Sequence, residues 1–580
     1  MHILDALKNY GDKIKSFLIF IILFLILFVL IHKGFGLDHV SLMRAIKSIV
    51  GVVFFAGLYS LIVENNKSSR IFLICGLLYY ASVAGTFSFY TTSLGINYAE
   101  THYELFFACS LVVLLTALNN IIVKNKIIIT CIEFIIIAIS IIEIVYYMMF
   151  DISVNSDTFF ILLQTDFNES ITFIKSNILI FVLITLIFLI SMFYLYKLNK
   201  KENNNYKKYK TKKILMSALI LIFTLFLDNK FVFTDEHLYL HRDFNIAYGY
   251  FKQLEIMSEK EKLGEKVKAK ENINKIVIVL GESANRDYMQ AFGYERENTP
   301  WLNSMKYKYP SNFLLYNKAY TSYRLTNNAL IYLLTEKSQY NDKEIYSSLN
   351  LIDIAKAAGY KTYWFSRQGN ISNFRESYNI VAQRSDVKVF LENSKFDGEL
   401  VKELDGIDDN KKSLSVIHLV GSHYPYTNYP DNFNKFTGNN TNDYYDNSIY
   451  YTDYVLSEIF KKINEKSPVD LFIYISDHGE SKDMLRTKFN FQMAYIPMII
   501  YFSDKYIKNN KIKYQMAIER QHNYFTSDMF YDTFLGMIGV DEKYYMKNQD
   551  LFDQEYSFNK NNLKTEYGTQ KLINDPYDKN

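Results

Sequence analysis

Seven long apolar runs crowd the first 230 residues, and they restrict this chain more than any other feature. They fall at roughly 16–34 ("SFLIFIILFLILFVLIHKG"), 47–64, 70–91, 104–123, 127–150, 177–196 and 213–229. Each is close to the ~20 residues that cross a bilayer core as a helix. The first run is too long for a removable signal peptide and lacks a small-residue cleavage site, so it reads as a retained anchor. Lys and Arg gather in "ENNKSSR" (64–70), "VKNK" (123–126) and "YKLNKKENNNYKKYKTKK" (196–213), while the loop 90–104 and the loop 150–176 are nearly free of them. With seven spans this bias places the N-terminus in the cytoplasm and everything after 229 outside it. Glu133 and Glu143 lie inside the fifth run. A functional role and a helix-pair or span-end contact explain them equally, and no role is assigned. The inverted halves and Pro/Gly breaks of many transporters are missing.

Residues 231–580 have a different character. A charged linker, 231–272, contains "MSEKEKLGEKVKAKEN" and an aromatic, apolar stretch, "YGYFKQLEIM", suited to a membrane interface. Beyond it, short β-branched and aromatic runs alternate with helical patterns: "KIVIVLG" (275–281), "KTYWFS" (361–366), "LSVIHLV" (414–420), "LFIYIS" (471–476) and "IPMIIYF" (496–502). Nearly continuous apolar strands separated by helices imply a mostly parallel sheet covered on both faces. The expected architecture is an N-terminal transmembrane α-helical domain (1–230), the linker, a C-terminal α/β domain (273–560) and a polar tail (561–580). A net charge of +3 leaves no nucleic-acid footprint. All three cysteines, Cys75, Cys109 and Cys131, lie in the apolar runs, so the α/β domain has no disulfide framework.

Ligand groups in parallel α/β sheets collect just beyond the carboxyl ends of strands. Here those positions are polar: Glu282 and Ser283 after the first strand, Ser422 and His423 after the third, Asp477 and His478 after the fourth. Carboxylates and neutral imidazole suit Zn²⁺, and the mixed O/N set also suits Mn²⁺. Glu282, Asp477 and His478 make three protein ligands, which leaves the open position of a catalytic centre. Arg367 and Gln368, after "KTYWFS", are candidates for phosphate contact. Ser283 reads as a turn residue and His418 as a core histidine.

"GESANRDYMQAFGYERENTPWL" (281–302), "HLVGSHYPY" (418–426), "YYDNSIYYTDYVLSEI" (444–459) and "SDHGES" (476–481) together resemble the phosphoethanolamine transferases of the bacterial envelope, members of the sulfatase/alkaline-phosphatase superfamily. The resemblance implies a sulfatase-like fold and puts that family's metal ligands on Glu282, Asp477 and His478. Its nucleophilic threonine falls on Thr326 in "YRLTNNALIYLLT", 44 residues after Glu282, with Thr321 and Ser322 as second choices. Thr326 would complete the metal set, and the family's headgroup or leaving-group histidine falls on His423. "LLQTDFNESITFI" (162–174) resembles the family's extracytoplasmic loop and makes Thr165 and Glu169 candidates for the headgroup pocket. Family members usually have five spans, two fewer than counted here. In one departure, "SKDMLRTKFNFQMAYIP" lacks the histidine expected after the DHGE motif, with Asn490 or Gln492 as possible hydrogen-bonding substitutes.

The implied activity is a zinc-dependent transfer of phosphoethanolamine from phosphatidylethanolamine to an envelope glycan or glycolipid such as lipid A or lipopolysaccharide core, through a covalent phospho-threonine. The implied location is the bacterial inner membrane, multi-pass, with the catalytic domain in the periplasm. A phosphatidylglycerol-dependent glycerol-phosphate transferase and an inactive envelope sensor or scaffold are the alternatives.

Overall fold

The structure, a computed structural model, describes residues 2–34, 42–63, 67–86, 101–122, 127–150, 153–164, 171, 174–175, 177–203, 211–231, 238–259, 263–270, 273–368, 376–391, 394–438, 440–482 and 489–578. By internal contacts the chain forms two compact units, Met1–Gly249 and Tyr250–Asn580.

The first unit is helical. Among the described residues, four helical stretches are long and apolar enough to cross a membrane: Gly11–Ile31, Tyr103–Ile121, Ile127–Met149 and Ile178–Lys197. Lys47–Ile62 and Ser69–Ala84 are shorter apolar helices. The helix Thr101–Ile121 is central and packs against Leu42–Ile62, Lys67–Tyr79 and Thr211–Phe231. A core of Phe20, Phe24, Phe55, Tyr80, Ala108 and Val112 fills the space between them. At Gly76 the helices approach so closely that a Cβ would collide with Val112 and the Ala108 carbonyl. Small residues at such crossings let backbones pack without intervening side chains.

The second unit is built on a seven-stranded sheet. Its strands are β1 (Lys275–Gly281), β2 (Phe313–Tyr316), β4 (Lys361–Ser366), β5 (Val387–Phe390), β6 (Ser413–His418), β7 (Leu471–Ser476) and β8 (Met498–Phe502), in the order β2-β8-β7-β1-β6-β4-β5. A separate parallel pair joins β3 (Ala319–Tyr320) to β9 (Phe525–Thr526). From β7 to β5 all neighbours are parallel, and β1, β6 and β7 are buried along their whole length. That burial on both faces explains their continuous apolar sequences. The expected last strand exists, but β8 runs antiparallel to both β7 and β2. The helix Thr441–Lys466 begins at Asn440, whose side chain accepts from Asp443 N at 3.0 Å, as expected of an N-cap. Its buried face, with Ile449, Val455, Leu456 and Ile459, joins the core cluster against Val277, Val279, Phe472 and Tyr474 of the sheet.

Residues 561–578, which composition reads as a polar tail, are packed into this unit. Leu563, Thr565 and Leu572 are fully buried.

Candidate active site and metal centre

β7, β1 and β6 lie side by side, so residues just beyond their carboxyl ends share one rim. Glu282 follows β1 and Asp477–His478 follow β7. Among the described residues, these three form the one group of His, Cys, Asp or Glu whose ligating atoms come within 4.8 Å of one another in a set of three. All are buried. His478 Nε2 lies 3.3 Å from Glu282 Oε1 and 3.3 Å from Asp477 Oδ2.

The surrounding backbone aims these groups. Asp477 Oδ1 accepts from Ser283 N at 3.0 Å and His478 N at 2.6 Å, which leaves Oδ2 facing inward. His478 Nδ1 is 2.8 Å from the Gly479 carbonyl. Because a carbonyl only accepts, Nδ1 carries the proton and Nε2 offers its lone pair, the usual arrangement of a metal-bound histidine. A Cβ at Gly479 would run into the carbonyls of Tyr495 and Gln492, so glycine is required for close approach. Ser283 is the turn residue expected, held at φ +58°, and its hydroxyl donates to Glu282 Oε1 at 2.6 Å. A non-glycine residue there is strained and persists only where its surroundings over-determine it.

The site fits a divalent cation. Asp477 Oδ2 is buried and, among the described residues, accepts no hydrogen bond. Burial and the neighbouring Glu282 carboxylate push the Asp477 pKa up, the expected response of two acids crowded together without a cation. Two carboxylates and one neutral imidazole form a Zn²⁺- or Mn²⁺-compatible donor set.

Thr326 stands at the same point. Its Oγ1 is 3.1 Å from Glu282 Oε2 and 3.3 Å from His478 Nε2. It opens the helix Thr326–Leu334 and is half-buried, whereas Thr321 and Ser322 are fully buried. Thr321 Oγ1 donates to the carbonyl of Asp477 at 2.5 Å, and Ser322 N donates to Ser527 Oγ at 3.0 Å. Those two second choices brace the loop, and Thr326 faces Glu282 and His478.

The other predicted residues divide. Gln368 Nε2 reaches Glu282 Oε2 at 3.5 Å and the Leu419 carbonyl at 2.6 Å. Arg367 donates through Nη1 to the carbonyl of Leu391 at 2.7 Å. His423 Nδ1 is 2.8 Å from the Tyr424 carbonyl, and among the described residues its ring makes no hydrogen bond to the ligand set. Asn490 and Gln492 are engaged elsewhere: Asn490 Oδ1 accepts from Gln492 N, and Gln492 Oε1 accepts from Ser481 Oγ. Thr165 and Glu169 lie outside the described residues. His418, the last residue of β6, is buried against the Trp364 and Tyr378 rings, with Nδ1 3.2 Å from Ser366 Oγ. Among the described residues its Nε2 has no partner, and burial lowers its pKa to about 4.

Two residues within 444–459, Tyr445 and Asp446, support the site in ways that their sequence pattern does not declare. Tyr445 OH accepts from Asn285 N at 2.9 Å and donates to the Ser283 carbonyl at 2.8 Å, clamping the turn after Glu282. Asp446 pairs with Lys482 at 2.7 Å, and the Lys482 ammonium also sits against the Tyr288 and Tyr294 rings. The repeated tyrosines and acids of "YYDNSIYYTD" were the available signal.

This constellation, on the rim of a mostly parallel sheet and with a hydroxyl at the shared apex, is that of a sulfatase-type α/β domain. Residues 274–540 match the Sulfatase family model. Among curated proteins the chain is 27% identical over 280 residues to phosphoethanolamine transferase EptC of Escherichia coli, covering 43% of this chain and 48% of that one. It is 23% identical over 337 residues to phosphoethanolamine transferase CptA of Salmonella typhimurium, covering 53% and 56%. The chain thus spans about half the length of the curated relatives it matches. Over 83% of this chain and 98% of the other, the fold is shared with the integral membrane lipooligosaccharide phosphoethanolamine transferase A of Neisseria meningitidis, at 19% identity and a TM-score of 0.55. The resemblance drawn from the motifs is borne out.

Proposed function

We propose that this protein transfers phosphoethanolamine from phosphatidylethanolamine to an envelope glycan or glycolipid, with Thr326 as the nucleophile. The observation that carries the reading is the position of Thr326 Oγ1, within 3.3 Å of both Glu282 and His478. The names of the matched relatives supply the group transferred.

Glu282, Asp477, His478 and Thr326 would hold the cation. When bound, a divalent ion lowers the pKa of a hydroxyl beside it and offsets charge on phosphoryl oxygens. Thr326 Oγ1 donates its hydrogen bond toward Glu282 Oε2, which orients a lone pair for attack on phosphorus. As the Oγ1–P bond forms, Glu282 Oε2 takes the Thr326 proton, the bond from phosphorus to the diacylglycerol oxygen breaks, and His423 or water protonates that oxygen. A hydroxyl or phosphate oxygen of the acceptor then attacks phosphorus and releases Thr326. The phosphoryl group on Thr326 would lie at the first turn of a nine-residue helix, where backbone N–H groups favour negative charge. A membrane-anchored site on the periplasmic face of the inner membrane would keep donor and acceptor at high local concentration.

The test is mass spectrometry of the metal-loaded, full-length protein after incubation with phosphatidylethanolamine and no acceptor. A phosphoethanolamine adduct on Thr326 is expected. Labelling from phosphatidylglycerol alone would overturn the donor, and no adduct from either lipid would overturn the covalent route.

A further inference from the structure

The segment Leu563–Asp578, beyond the residues that match the sulfatase model, lies against the stretch that delivers Thr326. Thr565 Oγ1 donates to the Thr321 carbonyl at 2.7 Å, and Tyr567 N donates to the Ser322 carbonyl at 2.9 Å. Arg324 N donates to Glu566 Oε1 at 3.0 Å, while the Arg324 guanidinium pairs with Glu566 Oε2. That ion pair is buried, with Arg324 4% and Glu566 6% exposed. The Tyr567 ring stacks on Tyr332, in the helix that Thr326 opens, with centroids 4.3 Å apart and planes 21° from parallel. Three consecutive residues of the segment, Glu566, Tyr567 and Gly568, have φ of +47°, +46° and +87°. Two of these carry side chains and are strained, so the loop is held in an unfavourable shape by what it grips. Gly568 N is fastened in turn to Gln339 Oε1 at 2.5 Å.

We infer that Glu566 and Tyr567 are positioning residues that fix Thr326 against Glu282 and His478, with Arg324 as the linking side chain. The inference rests on Thr326 being the nucleophile, as proposed above. Hydrogen bonds and stacking from one segment reach both the loop before Thr326 and the helix after it, which limits the motion of Thr326. A displacement of about 1 Å at a reacting group costs about 10²-fold in rate.

The test uses the full-length, metal-loaded protein and phosphatidylethanolamine. Glu566→Ala should lower kcat about 10²-fold with KM and metal content unchanged. Glu566→Gln, which keeps an acceptor for Arg324 N, should recover part of that loss. Combining Glu566→Ala with Arg324→Ala should cost little more than either change alone, because both break one link. In metal-free protein, hydrogen exchange should rise in the peptide 319–330 and stay unchanged in 275–285 and 471–482. If Glu566→Ala does not fold, Glu566→Gln carries the test, with a smaller fall in kcat and the same local exchange. Wild-type kcat in the folded variants, or faster exchange across the whole domain, would overturn the inference. Thr326→Ala separates the two readings: an active Thr326→Ala removes the nucleophile assignment, whereas an inactive one beside normal Glu566 variants removes only the positioning role.

Discussion

Both units bury acids, but only in the α/β unit do two of them converge with a histidine. In the helical unit Glu104, Glu133, Glu143 and Asp228 are each no more than 2% exposed. Where their partners are defined, these are neutral donors: Tyr79 OH to Glu104 at 3.2 Å, Thr86 Oγ1 to Glu143 at 2.8 Å and Ser110 Oγ to Asp228 at 3.0 Å. In the α/β unit Glu282 and Asp477 instead turn toward a common point with His478. Burial alone therefore does not mark a reactive site. Glu104, Glu143 and Asp228 each take a hydrogen bond from a hydroxyl, and among the described residues Asp228 Oδ1 accepts none, as Asp477 Oδ2 does not, so it is the convergence of two carboxylates on an imidazole lone pair that calls for a cation. The contrast extends to apolar surface. The span Ile178–Lys197 is almost entirely unburied, while β1, β6 and β7 are buried throughout.

The largest effect should come from taking one member out of the convergent set. Asp477→Ala should reduce transfer at least about a thousand-fold and abolish stoichiometric metal in the purified protein, measured by labelled-donor turnover and elemental analysis. Retained metal with lost turnover would mean that Asp477 serves the chemistry without holding the ion. Next in size is removal of the ion. Chelation should abolish turnover and destabilise the α/β unit by about 4 kcal/mol if the ion was present at about a thousand times its Kd, with recovery on adding Zn²⁺ or Mn²⁺. Asp228→Asn, in the other unit, should change neither metal content nor kcat.

Much of this division was legible in the sequence because its signals are local. Apolar run length announced the helical unit, and "KIVIVLG", "KTYWFS" and "LFIYIS" matched observed strands residue for residue. The three candidate ligands were readable because each lies within two residues of the end of a buried strand. β2 and β5 escaped: both are four residues long, and β5 is only partly buried, so neither carries a long apolar signature. The antiparallel direction of β8 depends on which strands flank it, information absent from its own residues. The packing of 563–578 was hidden because its anchors are single polar atoms, Thr565 Oγ1 and the Glu566 carboxylate among them, which composition counts as solvent-seeking.

A smaller effect tests the histidine beside the metal rim. His418 has a folded pKa near 4, lowered by burial, against about 6.5 in the unfolded chain. Above pH ~6.5 both states are neutral and His418 contributes no pH dependence. Between ~6.5 and ~4 the unfolded chain binds the proton first, so stability falls with pH, by about 3 kcal/mol over the interval. Denaturant unfolding of the metal-free full-length protein at pH 7 and pH 4.5 should show this acid limb, and His418→Phe should flatten it. An unchanged slope would mean that His418 is protonated in the fold, which its unpartnered Nε2 and the Tyr378 ring, 4.7 Å away between centroids, argue against.

The smallest effect is expected at Glu143, and it bears most directly on the contrast between the units. Glu143 Oε1 accepts from Thr86 Oγ1 at 2.8 Å and from Val154 N at 3.2 Å, joining two helices to the segment that follows Ile127–Phe150. If the acid serves only as an acceptor, Glu143→Gln retains that oxygen and should shift thermal stability in detergent by no more than about 0.5 kcal/mol. Glu143→Leu leaves the Val154 N–H without its acceptor and should cost about 1–3 kcal/mol. Neither change should alter metal content or kcat. A Glu143→Gln protein that melts normally but no longer turns over would show that this carboxylate needs its charge, and satisfied hydrogen bonds would then no longer distinguish a structural acid from a working one in this molecule.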